Sequence, residues 1–119
     1  MGTSLGGLFA LYVLFSQPDT FCCYVVGSPA VWWDDQAILR LEKDFAVQHS
    51  DLSAKVCLAV GGNEPEYMMA DMYKVAHVLR SRNYKSMELI TRFFEGETHE
   101  SAVPAFFSWG LRVAFAHKA

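Results

Sequence analysis

The feature that most restricts this chain is an alternation. Short apolar runs of strand type are separated each time by a segment long enough for a helix. Residues 21–26, 55–60 and 87–94 are rich in β-branched and aromatic side chains, and Gly27 and Gly61-Gly62 close the first two. Runs this short, bounded by glycine and proline, read as buried strands. The intervening segments have helical spacing. Residues 5–16 are apolar on nearly every side, so that helix is expected to be buried over most of its surface. Ala37, Ile38, Leu41 and Phe45 make one stripe, with Asp34 or Asp35 as its cap. Met69, Met72, Ala76 and Leu79 make another over residues 66–82, where Arg80 and Arg82 complement the helix dipole. Pro104, suited to a first turn, opens a last helix that carries Phe106, Phe107, Leu111 and Ala114 inward. Strands joined by helix-length crossovers can run parallel. The expected fold is therefore α/β: about three parallel strands and four helices in a three-layer arrangement, as one domain over residues 1–119.

Composition narrows the function classes. With 52% hydrophobic and 19% charged residues, the chain has the balance of a core-forming protein. The net charge is −3 and no Lys/Arg cluster stands out, so neither nucleic acid nor an anionic membrane is an expected partner. The longest apolar run, residues 8–15, falls far short of the ~20 needed to span a bilayer. No basic segment follows Met1, so no secretory leader is visible and a cytoplasmic location is expected. Cys22, Cys23 and Cys57 are odd in number and fit no disulfide or zinc spacing. They read as three buried thiols in a reducing compartment.

Gly2-Thr3-Ser4-Leu5-Gly6-Gly7 carries the strongest chemical signal. A serine hydroxyl is a poor nucleophile and must be held exposed beside a base. The spacing G-x-S-x-G does this with a tight strand-to-helix bend that places the serine in a strained backbone conformation. Small residues two positions away let strand and helix pass closely. The helix that follows points its N-terminus, and the Leu5 amide, at a developing oxyanion. A glycine-rich helix start capped by Ser or Thr is the plainer alternative. His99 stands after the third strand and before the last helix, where it can reach over a nucleophile. His49, His77 and His117 do not lie at strand ends and read as surface residues. No histidine clusters with the cysteines at metal-ligand spacing, so no metal site is expected. An acid that fixes the imidazole tautomer must lie on a loop after a strand and before His99. Glu64, nearest the strand end in Gly62-Asn63-Glu64-Pro65-Glu66, is the first candidate; Glu66 is the second, and Asp34 or Asp35 the fallback. Trp32 and Trp33 follow another strand end and could wall a substrate pocket or pack beneath further chain.

Four blocks, Gly-Thr-Ser-Leu-Gly-Gly-Leu-Phe-Ala-Leu-Tyr, Gly-Ser-Pro-Ala-Val-Trp-Trp-Asp, Ala-Val-Gly-Gly-Asn-Glu and Phe-Glu-Gly-Glu-Thr-His, occur in this order over nearly the whole chain. They resemble the enterochelin (ferric-siderophore) esterase and esterase D-like group of the α/β-hydrolase superfamily. The resemblance implies the C-terminal half of an α/β-hydrolase fold, starting at the nucleophile elbow. It implies Ser4 as nucleophile, His99 as base and a carboxylate near Glu64 as orienter, cleaving small carboxylic esters without a cofactor. Thr3 departs from the pattern, in which His usually precedes the nucleophile. The strand leading into the elbow is expected before Gly2, where only Met1 stands, and the loop that supplies a second oxyanion amide is not present. Weak or no activity is the expectation that follows.

Two other readings stay open at this point. A catalytically inactive hydrolase fragment would serve as a folding or interaction module, self-associating through an exposed sheet edge. A flavodoxin-like domain would use Gly2–Gly7 to cradle phosphate, but leaves His99 and the Glu64 loop unexplained.

Overall fold

A computed structural model describes residues 1–116. The order of elements is β1 (Gly2–Thr3), α1 (Leu5–Ser16), a 3₁₀ turn (Pro18–Thr20), β2 (Cys23–Gly27), α2 (Trp33–Gln48), β3 (Lys55–Gly61), α3 (Glu66–Ser81), β4 (Glu88–Phe94) and α4 (Ala102–Ala114). The strands form one parallel sheet in the order β1-β2-β3-β4. The three expected strands are thus joined by a fourth. It has no apolar run to announce it, because it is only two residues long: Gly2 pairs with Val26 and Thr3 with Gly27. Those two residues lead directly into Ser4.

Side chains of successive strand residues point to opposite faces, and the two faces have separate cores. On one, Tyr24, Val26, Val56, Leu58 and Val60 meet Leu11 and Leu14 of α1, Ile38 and Phe45 of α2, and Met72 and Leu79 of α3. On the other, Val25, Cys57 and Ala59 meet Phe106 and Trp109 of α4. This is a three-layer α/β/α arrangement with one helix on the second face. Glu42 of α2 is 2% exposed and takes two hydrogen bonds from Arg82, at 2.9 and 2.7 Å, which ties α2 to the end of α3.

Several local expectations are corrected. α1 is buried on one side only: Leu11 and Leu14 are inaccessible, while Leu5, Phe9 and Tyr12 are more than half exposed. Asp34 and Asp35 do not cap α2. Trp32 holds the cap position without a side-chain bond, and Asp34, Asp35 and Gln36 each adopt left-handed backbone angles, with φ of 52°, 51° and 59°. Short polar side chains tolerate that region better than apolar ones, and the Arg40 guanidinium donates to the carbonyls of Asp35 and Asp34 at 2.6 and 3.1 Å. α4 begins at Ala102, two residues before Pro104. Cys22 is exposed and Cys23 half-buried; only Cys57 is inaccessible. His77 is exposed, His49 stacks on Phe45 with ring centroids 4.0 Å apart, and His117 lies outside the described residues.

Candidate active site

In a parallel sheet every strand delivers its chain to the same edge, so the loops after β1, β2, β3 and β4 converge there. Ser4 leaves β1 at that edge. Its backbone sits at φ 59° and ψ −118°, a sparsely populated conformation for a non-glycine residue that costs on the order of 1–3 kcal/mol. The surroundings hold it there: Ser4 N–H donates to the Gly27 carbonyl at 2.9 Å, and the Ser4 carbonyl accepts from Ala30 N–H at 3.1 Å. A side chain on Gly2 would overlap the Gly6 carbonyl, which explains why the strand-to-helix bend needs glycine two residues before the serine. Leu5 is the first residue of α1, so its amide has no acceptor within the helix and is free to face an anion.

Glu64 and His99 arrive from the ends of β3 and β4. Glu64 is 5% exposed and receives three donors. Its Oε1 lies 2.6 Å from His99 Nδ1. Its Oε2 accepts from Gly61 N–H at 2.6 Å and from Ser28 Oγ–H at 2.5 Å. A carboxylate this deep is tolerable only because its oxygens are satisfied by such donors. The bond to Nδ1 places the imidazole proton on Nδ1 and leaves Nε2 as the acceptor. His99 keeps a third of its side chain in solvent, as a group that must meet both serine and substrate requires. The β3 and β4 loops are laced together: Gly62 N–H donates to the Phe94 carbonyl, Asn63 N–H to the Glu97 carbonyl and Asn63 Nδ2 to the Gly96 carbonyl. A Cβ on Gly61 would stand 2.5 Å from the Glu97 carbonyl, so this close approach needs a glycine.

Ser4 and His99 line one open cleft of about 340 Å³ together with Trp32, Asn63, Tyr67 and Thr98. The carboxylates weighed against Glu64 lie elsewhere. Glu66 is exposed at the start of α3, and Asp34 and Asp35 are exposed in the left-handed turn of α2. The paired tryptophans separate. Trp32 lines the Ser4 cleft, whereas Trp33 lines an apolar groove between α1 and α2 with Leu5, Phe9, Tyr12 and Ile38. Among the described residues no group of three or more His, Cys, Asp or Glu side chains is gathered to hold a metal ion, and no helix is long and apolar enough to cross a membrane.

Sequence reasoning assigned no role to Ser28 or Tyr67. Ser28 stood in the Gly-Ser-Pro-Ala-Val block, but nothing in one sequence links a serine after β2 to a glutamate 36 residues later. Tyr67 was hidden in the first turn of α3, where an aromatic reads as ordinary helix surface.

No protein-family model matches the chain. The ferri-bacillibactin esterase BesA of Bacillus subtilis is 32% identical over 121 aligned residues, which cover 95% of this chain and 41% of that protein. The siderophore triacetylfusarinine C esterase of Aspergillus fumigatus is 30% identical over 139, covering 96% of this chain and 47% of the relative. Among solved structures, the BES protein of Bacillus cereus superposes with a TM-score of 0.84 at 34% identity, covering 93% of this chain and 42% of that one. The siderophore hydrolase EstB of Aspergillus nidulans has the same TM-score at 22% identity, a likeness of fold. This chain spans less than half the length of each. The homologues of the chain are siderophore esterases, and its fold is that of the α/β-hydrolase-type esterases.

Proposed function

We propose that this chain carries the reacting groups of a serine carboxylic-ester hydrolase that works through an acyl-enzyme. The observation that carries the reading is the strained elbow at Ser4 sharing one cleft with an imidazole whose Nδ1 is held by a buried carboxylate. In this reading Ser4 Oγ attacks the ester carbonyl while His99 Nε2 takes its proton. The carbonyl oxygen becomes an oxyanion, which the Leu5 amide and the start of α1 stabilise. His99 then gives the proton to the departing alkoxide, leaving an acyl-serine. Water, deprotonated by His99, hydrolyses the acyl group and restores Ser4. Glu64 holds the imidazole tautomer and stabilises the imidazolium that forms.

The names of the relatives support a siderophore-type ester as substrate, with small acyl esters as simpler probes. Trp32 and Tyr67, each about half exposed beside the cleft, suit a flat or apolar group next to the ester. The Leu5 amide is the single oxyanion donor assigned here. A second donor is worth ~10²–10³ in rate, so turnover by this chain is expected to be slow.

The second reading is an inactive hydrolase fragment that serves as an interaction module. It is favoured by the exposed apolar face of α1 and by β1 and β4, each paired on one side only among the described residues. Such a module would self-associate through its open sheet edge. A fluorophosphonate probe separates the two. Labelling of Ser4, abolished in Ser4→Ala, supports the esterase; a folded chain that never labels supports the module.

A further inference from the structure

Ser28 has an environment that a turn-filling serine does not need. It is 3% exposed and sits at φ 41°, in the left-handed region that disfavours side chains. A hydroxyl this deep must find a partner, and Ser28 spends its one proton on the Glu64 oxygen that His99 does not use. Its backbone is equally committed, since Ser28 N–H donates to the Ala59 carbonyl at 2.8 Å. The residues on either side grip the elbow: the Gly27 carbonyl accepts from Ser4 N–H, and Ala30 N–H donates to the Ser4 carbonyl. One four-residue stretch therefore holds the nucleophile by its main chain and the acid by a side chain.

We propose that Ser28 is a positioning residue. Its hydroxyl locks the Glu64 carboxylate so that Oε1 alone faces His99, and it sets the register between the acid and the Ser4 elbow. Without that hydroxyl, Oε2 keeps only the Gly61 amide, and the carboxylate can turn about its last torsion, which is intrinsically broad. His99 is carried on a loop and partly exposed, so it follows the carboxylate and loses its aim. The proposal rests on the Ser4–Glu64–His99 reading, but its first test needs no turnover.

That test is proton NMR of this chain, following the His99 Nδ1–H resonance, which a hydrogen bond to a buried carboxylate moves far downfield. Two variants are compared. Ser28→Ala removes the hydroxyl and keeps the strained φ; Ser28→Gly removes the hydroxyl and relieves the strain. The resonance should be sharp in the native chain, and broadened or absent in both variants while their melting curves still show a folded protein. Persistence in both variants would overturn the proposal. So would loss in Ser28→Ala with retention in Ser28→Gly, because the backbone and not the hydroxyl would then matter. A native chain with no such resonance overturns it too. In ester hydrolysis, both variants should lose roughly tenfold or more in kcat with KM within about twofold, as expected when a reacting group is misaimed but binding is kept. If the native chain gives the resonance pattern but Ser4 never labels with a fluorophosphonate, the esterase reading fails and the positioning role stands.

Discussion

Replacing Glu64 with Gln exchanges one carboxylate oxygen for an NH₂ group and should nearly silence Ser4. Three donors converge on this carboxylate, from His99, Ser28 and Gly61. A glutamine has one oxygen to offer. With that oxygen on the Oε2 side, Ser28 and Gly61 stay satisfied, and the new NH₂ faces His99 Nδ1. The imidazole must then accept at Nδ1 and carry its proton on Nε2, so it cannot take the proton from Ser4. The flipped amide restores the bond to His99 but sets NH₂ against the Gly61 N–H, which cannot turn away; an unsatisfied buried donor costs ~1–3 kcal/mol. The wrong tautomer is therefore preferred by that amount. The imidazolium formed on attack also loses a charge-assisted hydrogen bond worth ~1.5–3 kcal/mol. Together these raise the barrier by about 2.5–6 kcal/mol, or roughly 10²–10⁴-fold in rate. The assay is the time course of Ser4 labelling by a fluorophosphonate, read by mass spectrometry, with thermal melting as the control for folding. A folded Glu64→Gln chain labelled within threefold of the native rate would refute the tautomer argument and, with it, the role of Glu64.

The remaining expectations are independent of that one. Gly2→Ala should slow Ser4 labelling and destabilise the fold by on the order of 1–3 kcal/mol, because its Cβ would overlap the Gly6 carbonyl; Gly6→Ala meets open space in a helix and should stabilise by ~0.5–1 kcal/mol, both read by urea denaturation. Trp32→Ala should raise KM for an aryl ester by several-fold while Trp33→Ala leaves it unchanged, since only Trp32 lines the Ser4 cleft; equal effects in steady-state kinetics would contradict the division of the pair. In the native state at pH 8, a disulfide-exchange reagent should modify Cys22 promptly and Cys57 only on unfolding. Burial pushes the Cys57 thiol up from 9.0 to about 12. The folded state therefore holds this proton more tightly than the unfolded state, and the resulting stability is complete below about pH 9 and lost as pH rises toward 12. Cys57→Val should flatten that alkaline decline in denaturation midpoint, and an unchanged slope would argue against it. Arg82→Ala should cost about 1–3 kcal/mol, because it removes two hydrogen bonds from the buried Glu42 carboxylate through a partner that is itself a third exposed.

The strands and helices were legible where local chemistry decides them. Residues 55–60 and 66–82 carry unbroken apolar and amphipathic patterns, and β3 and α3 appear within a residue of the expected ends. β1 was not legible, because Gly2-Thr3 has no pattern of its own and becomes a strand only by pairing with β2. The left-handed turn at Asp34–Gln36 was missed for the opposite reason: two aspartates before an apolar stripe are an ordinary cap signal, and the carbonyl contacts from Arg40 are invisible until the chain is folded. At the site, Ser4 and His99 were legible because a motif and a strand-end position mark them. Glu64 was the first choice for its nearness to the end of β3, and it is the carboxylate that meets the imidazole; setting aside Glu66, Asp34 and Asp35 needed the fold, because only burial separates them.

The main chain of the sheet edge holds the loops on which the Ser28–Glu64–His99 side-chain bonds are built. Parallel pairing continues past the formal strand ends through main-chain bonds from loop residues: Ser4 to Gly27, Ser28 to Ala59, Gly62 to Phe94 and Asn63 to Glu97. Each bond joins the loop after one strand to the neighbouring strand or its loop, so the four loops form a ladder running across the sheet edge. The side chains of the site hang from successive rungs, Ser4 on the first, the positioning Ser28 on the second, Glu64 on the third and His99 beyond the fourth strand. A shift of register by one residue between β2 and β3 would turn every side chain of one strand to the opposite face; it would empty both cores and carry Glu64 away from Ser28 and the Ser4 elbow in the same step. Stability and site geometry are thus coupled through the β2–β3 pairing. Amides of the loop ladder should exchange with solvent as slowly as those of β3, and opening by local fluctuation at Gly62 or Asn63 would show that the loops are supported by their side chains instead.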